Sequence, residues 1–353
     1  MQLHPGFAWG TSFALALAAV LLNLRSLMPA PQPGPTFLSV YNWPEVPTLT
    51  PEQVAQYRMD GFIVLRQVIP PEVVDALRTY AAPNLRSEFW DFTSPAIGTV
   101  YVPWLKTDLF RDFWWHGPMA KLGSQLLGGA AVRLFTDHLF YLTPQQPGLA
   151  LHNTADRAFD QHTFVRFWIP LDDVDTHLTG GSLEVVSNRG LAEREPACYD
   201  RIRGRAPGMG MSEPECLALA AQQKLAHNFS RGDAIVLAPG VLRASQPLRT
   251  DGELESRFAV SVGFSVQDLG TLLQSVPRYK HNALVQMLHP LPECFHIHAR
   301  EACHPRVWPS RVPRETALRM NGDLYREPPA LNKLAAWLSM PFLRRRALQR
   351  PSS

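Results

Sequence analysis

The amino-acid sequence predicts an α+β fold that is mainly β, a sandwich or barrel with helices around it, and three observations carry that expectation. Between Ala131 and Phe264 five runs (VRLFTDHLFYL, FVRFWIPL, GSLEVVS, DAIVLAP and RFAVSVGF) concentrate β-branched and aromatic residues and are separated by Gly, Pro, Asp and Asn. Helix and strand signals alternate only ahead of them, between Thr50 and Tyr80. Thirty-two prolines and 22 glycines in 353 residues favour turns and short elements over long helices. With 46% hydrophobic residues the chain can bury a large core, in one big domain or two modest ones. Charged residues are 18% and the formal balance is +3, so nothing points to a nucleic-acid partner, and Arg344, Arg345 and Arg346 read as a solvated tail.

Residues 7–24 (FAWGTSFALALAAVLLNL) carry no charge over a length that just crosses a bilayer. They predict a single-pass membrane anchor within residues 1–27. Arg25 follows the stretch and no Lys or Arg precedes it, which favours a cytoplasmic main domain, with a cleaved signal peptide and the secretory pathway as the alternative. Residues 28–49 contain MPAPQPGPT and read as a Pro-rich linker.

The folded domain is expected over residues 50–290. Thr50-Pro51-Glu52-Gln53 supplies an N-cap, a proline at the first helical position and a glutamine three residues on, and Asp60-Gly61 ends that helix. FIVLRQVI reads as the next strand, and Pro70-Pro71 opens a helix with Val73, Val74, Leu77 and Tyr80 on one face. In RFAVSVGF, alternation puts Phe258, Val260, Val262 and Phe264 on one side and Arg257, Ala259, Ser261 and Gly263 on the other. An arginine among small residues leaves room for a ligand, and a buried guanidinium calls for an anion or an acidic partner; the plainer expectation is a surface salt bridge. Residues 291–353 read as a helical and loop extension.

The four cysteines, Cys198, Cys216, Cys294 and Cys303, are too few and too spread for a small secreted disulfide scaffold, and leave the redox compartment open. Cys294, His296, His298, Cys303 and His304 lie close together, but their spacing matches no established zinc pattern and reads as a loop of incidental histidines.

Five segments, taken in order from Tyr57 to Phe264, resemble the phytanoyl-CoA dioxygenase family. They are Asp60-Gly61-Phe62 with the helix after it, Trp168-Ile169-Pro170-Leu171-Asp172-Asp173, Gly180-Gly181-Ser182-Leu183-Glu184-Val185-Val186, Gly232-Asp233-Ala234-Ile235-Val236-Leu237, and the strand that starts at Arg257. The resemblance implies a double-stranded β-helix of the jelly-roll or cupin kind, with Fe(II) and 2-oxoglutarate as cofactors. Two histidines and a carboxylate would hold the iron, leaving positions for 2-oxoglutarate and oxygen. The family's H-x-D falls on His152-Asn153-Thr154, with threonine in place of aspartate, and its distal H-x-S falls on Arg243-Ala244-Ser245, with arginine in place of histidine.

A guanidinium keeps its charge and offers no lone pair, so Arg243 cannot replace an imidazole. His152 is the one expected ligand present; Asp156, two positions late, is a candidate substitute for the missing carboxylate. His138, Asp160 and His162 are expected to be ordinary polar residues on strand or loop. The resemblance assigns the co-substrate carboxylate to Arg257, with Ser245 beside it. It thus implies an Fe(II)/2-oxoglutarate-dependent dioxygenase acting on a small apolar or lipid-like substrate, with an incomplete metal site. Two alternatives keep the fold: a metal-independent isomerase, cyclase or lyase in which His152, Asp156 or Asp160 moves protons and Arg243 stabilises negative charge, or a non-catalytic pseudoenzyme.

Overall fold

The computed structural model describes residues 43–85, 96–101, 103–152, 159–203, 212–249, 255–267 and 306–308. In chain order the elements are α1 (Pro51–Asp60), β1 (Phe62–Leu65), α2 (Pro71–Leu85), β2 (Gly98–Tyr101), α3 (Pro103–Lys106), α4 (Asp108–His116), α5 (Met119–Leu126), β3 (Val132–Leu142), β4 (Phe164–Pro170) and β5 (Leu183–Val186). They continue with α6 (Asn188–Arg194), α7 (Pro196–Ile202), α8 (Glu213–Ala221), β6 (Lys224–Leu225), β7 (Ala234–Leu237), β8 (Arg243–Ser245), β9 (Arg257–Ser265) and β10 (Arg306–Trp308).

The start of the domain follows its sequence signals closely. Thr50 caps α1 with its side chain on Gln53 N, Gln53 returns a bond to Thr50 N, and Gly61 ends the helix at a φ of 78°. A side chain at Gly61 would also strike Asn188 and Val241. The strand after it is shorter than FIVLRQVI suggests. It stops at Leu65 because Arg66 and Gln67 turn to bond Asp233, and Gln67 takes a φ of 49°. Ahead of α1, Leu49 N donates to Gln125 Oε1 at 2.7 Å and Trp43 lies 6.1 Å from Phe113, so residues 43–49 pack onto α4 and α5.

All strand pairs are antiparallel. The large sheet runs β1-β7-β4-β9-β3-β10, with β2 also on β3, and the small sheet runs β6-β5-β8. His152 extends the small sheet by a bridge to Arg243. From β3 onward the main strands alternate between the two sheets: β3 large, His152 small, β4 large, β5 small, β7 large, β8 small, β9 large. This alternation, in a curled sheet with flanking helices, is consistent with a jelly roll. Among the described residues no helix is long and apolar enough to cross a membrane, and the anchor expected at residues 7–24 lies outside them, as does the Cys294–His304 group.

Period-2 alternation sorts the large sheet into an apolar face and a mixed one that carries polar and aromatic residues together. Val165, Phe167 and Ile169 of β4 and Val260, Val262 and Phe264 of β9 are fully buried on the helix side. Gly123 lets α5 approach this face, since a Cβ there would lie 3.2 Å from Val165. Asp137 is the polar exception on the helix side of β3, where its Oδ2 accepts from Trp104 N at 3.0 Å and Trp114 Nε1 at 2.7 Å. Helices α6, α7 and α8, which the sequence reading did not assign, cover the small sheet through Leu191 and Ala220 against Val186 and Leu242. A disulfide between Cys198 and Cys216 ties α7 to α8.

Candidate functional site

The second face of the large sheet looks across at the small sheet. Register places His138 of β3 opposite Ser261 of β9, and Ser261 opposite Trp168 of β4; one step along, Arg166 pairs with Gly263. In the other direction Arg257 pairs with Leu142 and Ala259 with Phe140. On the small sheet, Arg243 and Ser245 of β8 pair with Val185 and Leu183 of β5. A cavity of about 20 Å³, room for one water, lies between the sheets, lined by Trp168, Leu183, Ser245, Arg257 and Ala259 among others.

His152 and Arg243 are the informative pair. His152 N donates to Arg243 O at 3.0 Å and Arg243 N donates to His152 O at 3.1 Å, so the two are direct antiparallel partners. Side chains so paired share a face with their Cβ atoms about 5 Å apart. Ser245, two residues on from Arg243, shares that face and lines the cavity. The two positions that the family resemblance assigns to the metal imidazoles are thus neighbours across the small sheet, and one of them is a guanidinium. His152 Nδ1 lies 2.7 Å from Ala150 O. A carbonyl only accepts, so Nδ1 is the donor in this contact.

Arg257 is buried, at 2% exposure, and not in a surface salt bridge. Its Nη1 donates to Gly180 O; its Nη2 donates to Asp173 O at 2.9 Å and to Thr179 Oγ1 at 2.8 Å. Nε is buried without an acceptor. The guanidinium thus ties down the turn between β4 and β5. A side chain at Gly181, which has a φ of 72°, would come within 2.9 Å of Arg257 Nη1. Burial draws the Arg257 pKa down to about 10 against the pull of Asp172 and Asp173.

The acidic residues that carry the family resemblance hold the frame. Asp172 accepts from Arg78 Nε and from Phe258 N at 2.8 Å, which joins α2 to the start of β9. Asp233 accepts from Arg66 Nη1 at 2.7 Å and from the backbone N–H groups of Gln67 and Ser230, both at 2.9 Å. Burial pushes its pKa up, but the bonds from Ser230, Gln67 and Arg66 outweigh that and leave it lowered. Asp60 accepts from Ser187 Oγ at 2.9 Å.

Asp160 closes a turn, its Oδ1 accepting from His162 N at 2.7 Å, and both residues are exposed. They are the ordinary polar residues expected. Thr154 and Asp156 lie outside the described residues. Sequence reasoning missed Arg166, which is 6% exposed, donates to Ser261 Oγ at 3.4 Å and stands over the Phe164 ring at 5.6 Å. Period-2 reading of FVRFWIP would have placed Arg166 on the same face as Trp168.

No family model matches the chain, and no curated protein does. Among solved structures the chain is similar to the non-haem α-ketoglutarate-dependent epimerase SnoN from nogalamycin biosynthesis, with 20% identity over 60% of this chain and 81% of that one at a TM-score of 0.46. It is also similar to the non-haem α-ketoglutarate-dependent carbocyclase SnoK of the same biosynthesis (19% identity, 62% and 84% covered, TM-score 0.48). A third is EctD from S. alaskensis with bound Fe (15% identity, 67% and 82% covered, TM-score 0.47).

The described residues do not fit the iron and 2-oxoglutarate that the family resemblance implies. Iron of the two-histidine, one-carboxylate kind needs a second imidazole where Arg243 stands, and among the described residues no three His, Cys, Asp or Glu side chains converge on a point. For 2-oxoglutarate, the terminal nitrogens of Arg257 are committed to the turn at Asp173, Thr179 and Gly180.

Proposed function

We propose that the protein is a double-stranded β-helix of phytanoyl-CoA dioxygenase descent that acts without iron, as an isomerase, cyclase or lyase on a small substrate that develops negative charge. The His152–Arg243 pair carries this reading. In its neutral form a histidine that donates from Nδ1 carries its lone pair at Nε2, suited to taking a proton from carbon or oxygen and returning it nearby. A permanently charged guanidinium on the neighbouring strand stabilises the anion so formed, and works best where water is scarce. Arg166, buried on the inner face of the large sheet, adds a further positive charge there, which favours a substrate carrying a carboxylate or phosphate.

Iron titration tests the reading. The purified wild-type protein is expected to bind Fe(II) weakly and to form no succinate from 2-oxoglutarate, whereas Thr154→Asp combined with Arg243→His is expected to gain stoichiometric metal binding by calorimetry. Stoichiometric iron with succinate release from the wild type would reject the metal-free reading. A double variant that gains no metal would reject the alignment of His152 and Arg243 with the ligand positions.

The resemblance of Trp168 to Asp173 and of Gly232 to Leu237 favours a second reading, an iron oxygenase acting on an apolar substrate from the bilayer. That reading needs Asp156 and another imidazole at the metal, and the same titration separates the two.

A further inference from the structure

Asn228-Phe229-Ser230 is an N-x-S sequence, the acceptor pattern for N-linked glycans. Such triplets arise by chance, so its placement decides whether it is informative. It lies on the connection between β6 and β7, with Asn228 and Ser230 exposed and Phe229 buried. Asn228 Oδ1 accepts from Thr176 N and from Thr176 Oγ1, both at 2.9 Å. That orients the carboxamide, so Nδ2 points away from Thr176 and has no partner among the described residues. An N-linked sugar leaves Oδ1 free to accept, so the fold tolerates the modification without losing either bond.

The disulfide is an independent observation of the same compartment. Cys198 and Cys216 are both fully buried and bonded to one another, 18 residues apart. Such bonds form and persist in oxidising compartments and are rare in the cytosol. Residues 7–24 supply a hydrophobic segment of the length that directs a chain to a membrane.

We propose that Asn228 is an N-glycosylation site and that the domain matures in the oxidising lumen of the secretory route, going beyond the catalytic reading and independent of it. In the transfer, Nδ2 of Asn228 forms a bond to the anomeric carbon of an oligosaccharide carried on a lipid diphosphate. The bond from that carbon to the diphosphate oxygen breaks, the lipid diphosphate leaves, and the amide gives up one proton. Disulfide formation moves two electrons and two protons from Cys198 and Cys216 to an oxidised protein disulfide of the same compartment. The domain then lies across the membrane from where the charges flanking residues 7–24 place it.

The test uses the full chain produced in cells that attach N-linked glycans. Peptide N-glycosidase is expected to raise its gel mobility, and mass spectrometry to find Asn228 converted to Asp by that treatment. Asn228→Gln and Ser230→Ala should each abolish the shift. Ser230→Ala leaves the Asn228–Thr176 bonds in place, so an unchanged melting temperature with loss of the glycan separates modification from folding. Without reductant, Cys198 and Cys216 should resist alkylation and appear as one linked peptide pair. Unmodified Asn228 in the wild type, or alkylation of both cysteines without reductant, would overturn the proposal.

Discussion

Arg257 shows how one side chain changes role within a fold. Its position on β9 is the one the family resemblance assigns to the co-substrate carboxylate, yet its donors close the turn at Asp173, Thr179 and Gly180. Arg257→Lys keeps the charge but loses the planar fork, so it leaves the buried Gly180 carbonyl and the partly buried Asp173 carbonyl short of donors and is expected to cost about 2–4 kcal/mol, read from urea denaturation. An unchanged denaturation midpoint would show that the turn closes without the guanidinium.

His227 supplies a residue-scale prediction of pH dependence. Its ring lies 5.7 Å from Phe62 and 6.2 Å from Phe229, and burial, with Arg66 adding to it, lowers its pKa below 6.5. The unfolded chain therefore binds the proton more readily, so the stability from neutral His227 is complete above about pH 6.5 and declines as pH falls below it. His227→Gln is expected to flatten that part of the curve, measured by urea midpoints between pH 5 and 7 on the order of one half-unit apart.

At the scale of elements, three carboxylates join pieces distant in sequence. Asp60 ties α1 to the cap of α6, Asp172 ties α2 to β9, and Asp233 ties the end of β1 to the turn before β7. Asp233 is 2% exposed, and Asp233→Asn removes its charge and replaces one accepting oxygen with a donor facing donors. The expected loss is about 2 kcal/mol by thermal or urea unfolding, and it should fade toward acid pH, where the wild-type carboxyl is itself protonated. These acids are legible in the sequence as motif members. Their function as ties is not, because each partner lies more than a hundred positions away or on an element that the motif does not contain.

For the whole molecule, the alternation of strands between two sheets brings His152 and Arg243 together across 91 positions of sequence, as the difference between their numbers shows. The small sheet that carries this pair is thin, and its outer side depends on α6, α7 and α8 for cover. The Cys198–Cys216 bond closes a loop of 18 residues within that cover. Reduction is expected to lower stability by about 3 kcal/mol, seen as a drop in melting temperature on adding reductant that Cys198→Ser abolishes.

The sequence alone determined the α1 start, the order of the main strands and the two faces of β9, because caps, turns and period-2 patterns act over a few residues and leave a local trace. Through the family resemblance it also set the expectation that Arg243 and Thr154 stand where a histidine and an aspartate would, since side-chain chemistry needs no coordinates to be read. Only the tertiary structure decided that Arg257 braces a turn, that the face shared by Arg166 and Trp168 is the inner one, and that Cys198 meets Cys216. Each of those depends on which distant backbone atom a side chain reaches, and that distance is set by how the two sheets and their helices pack.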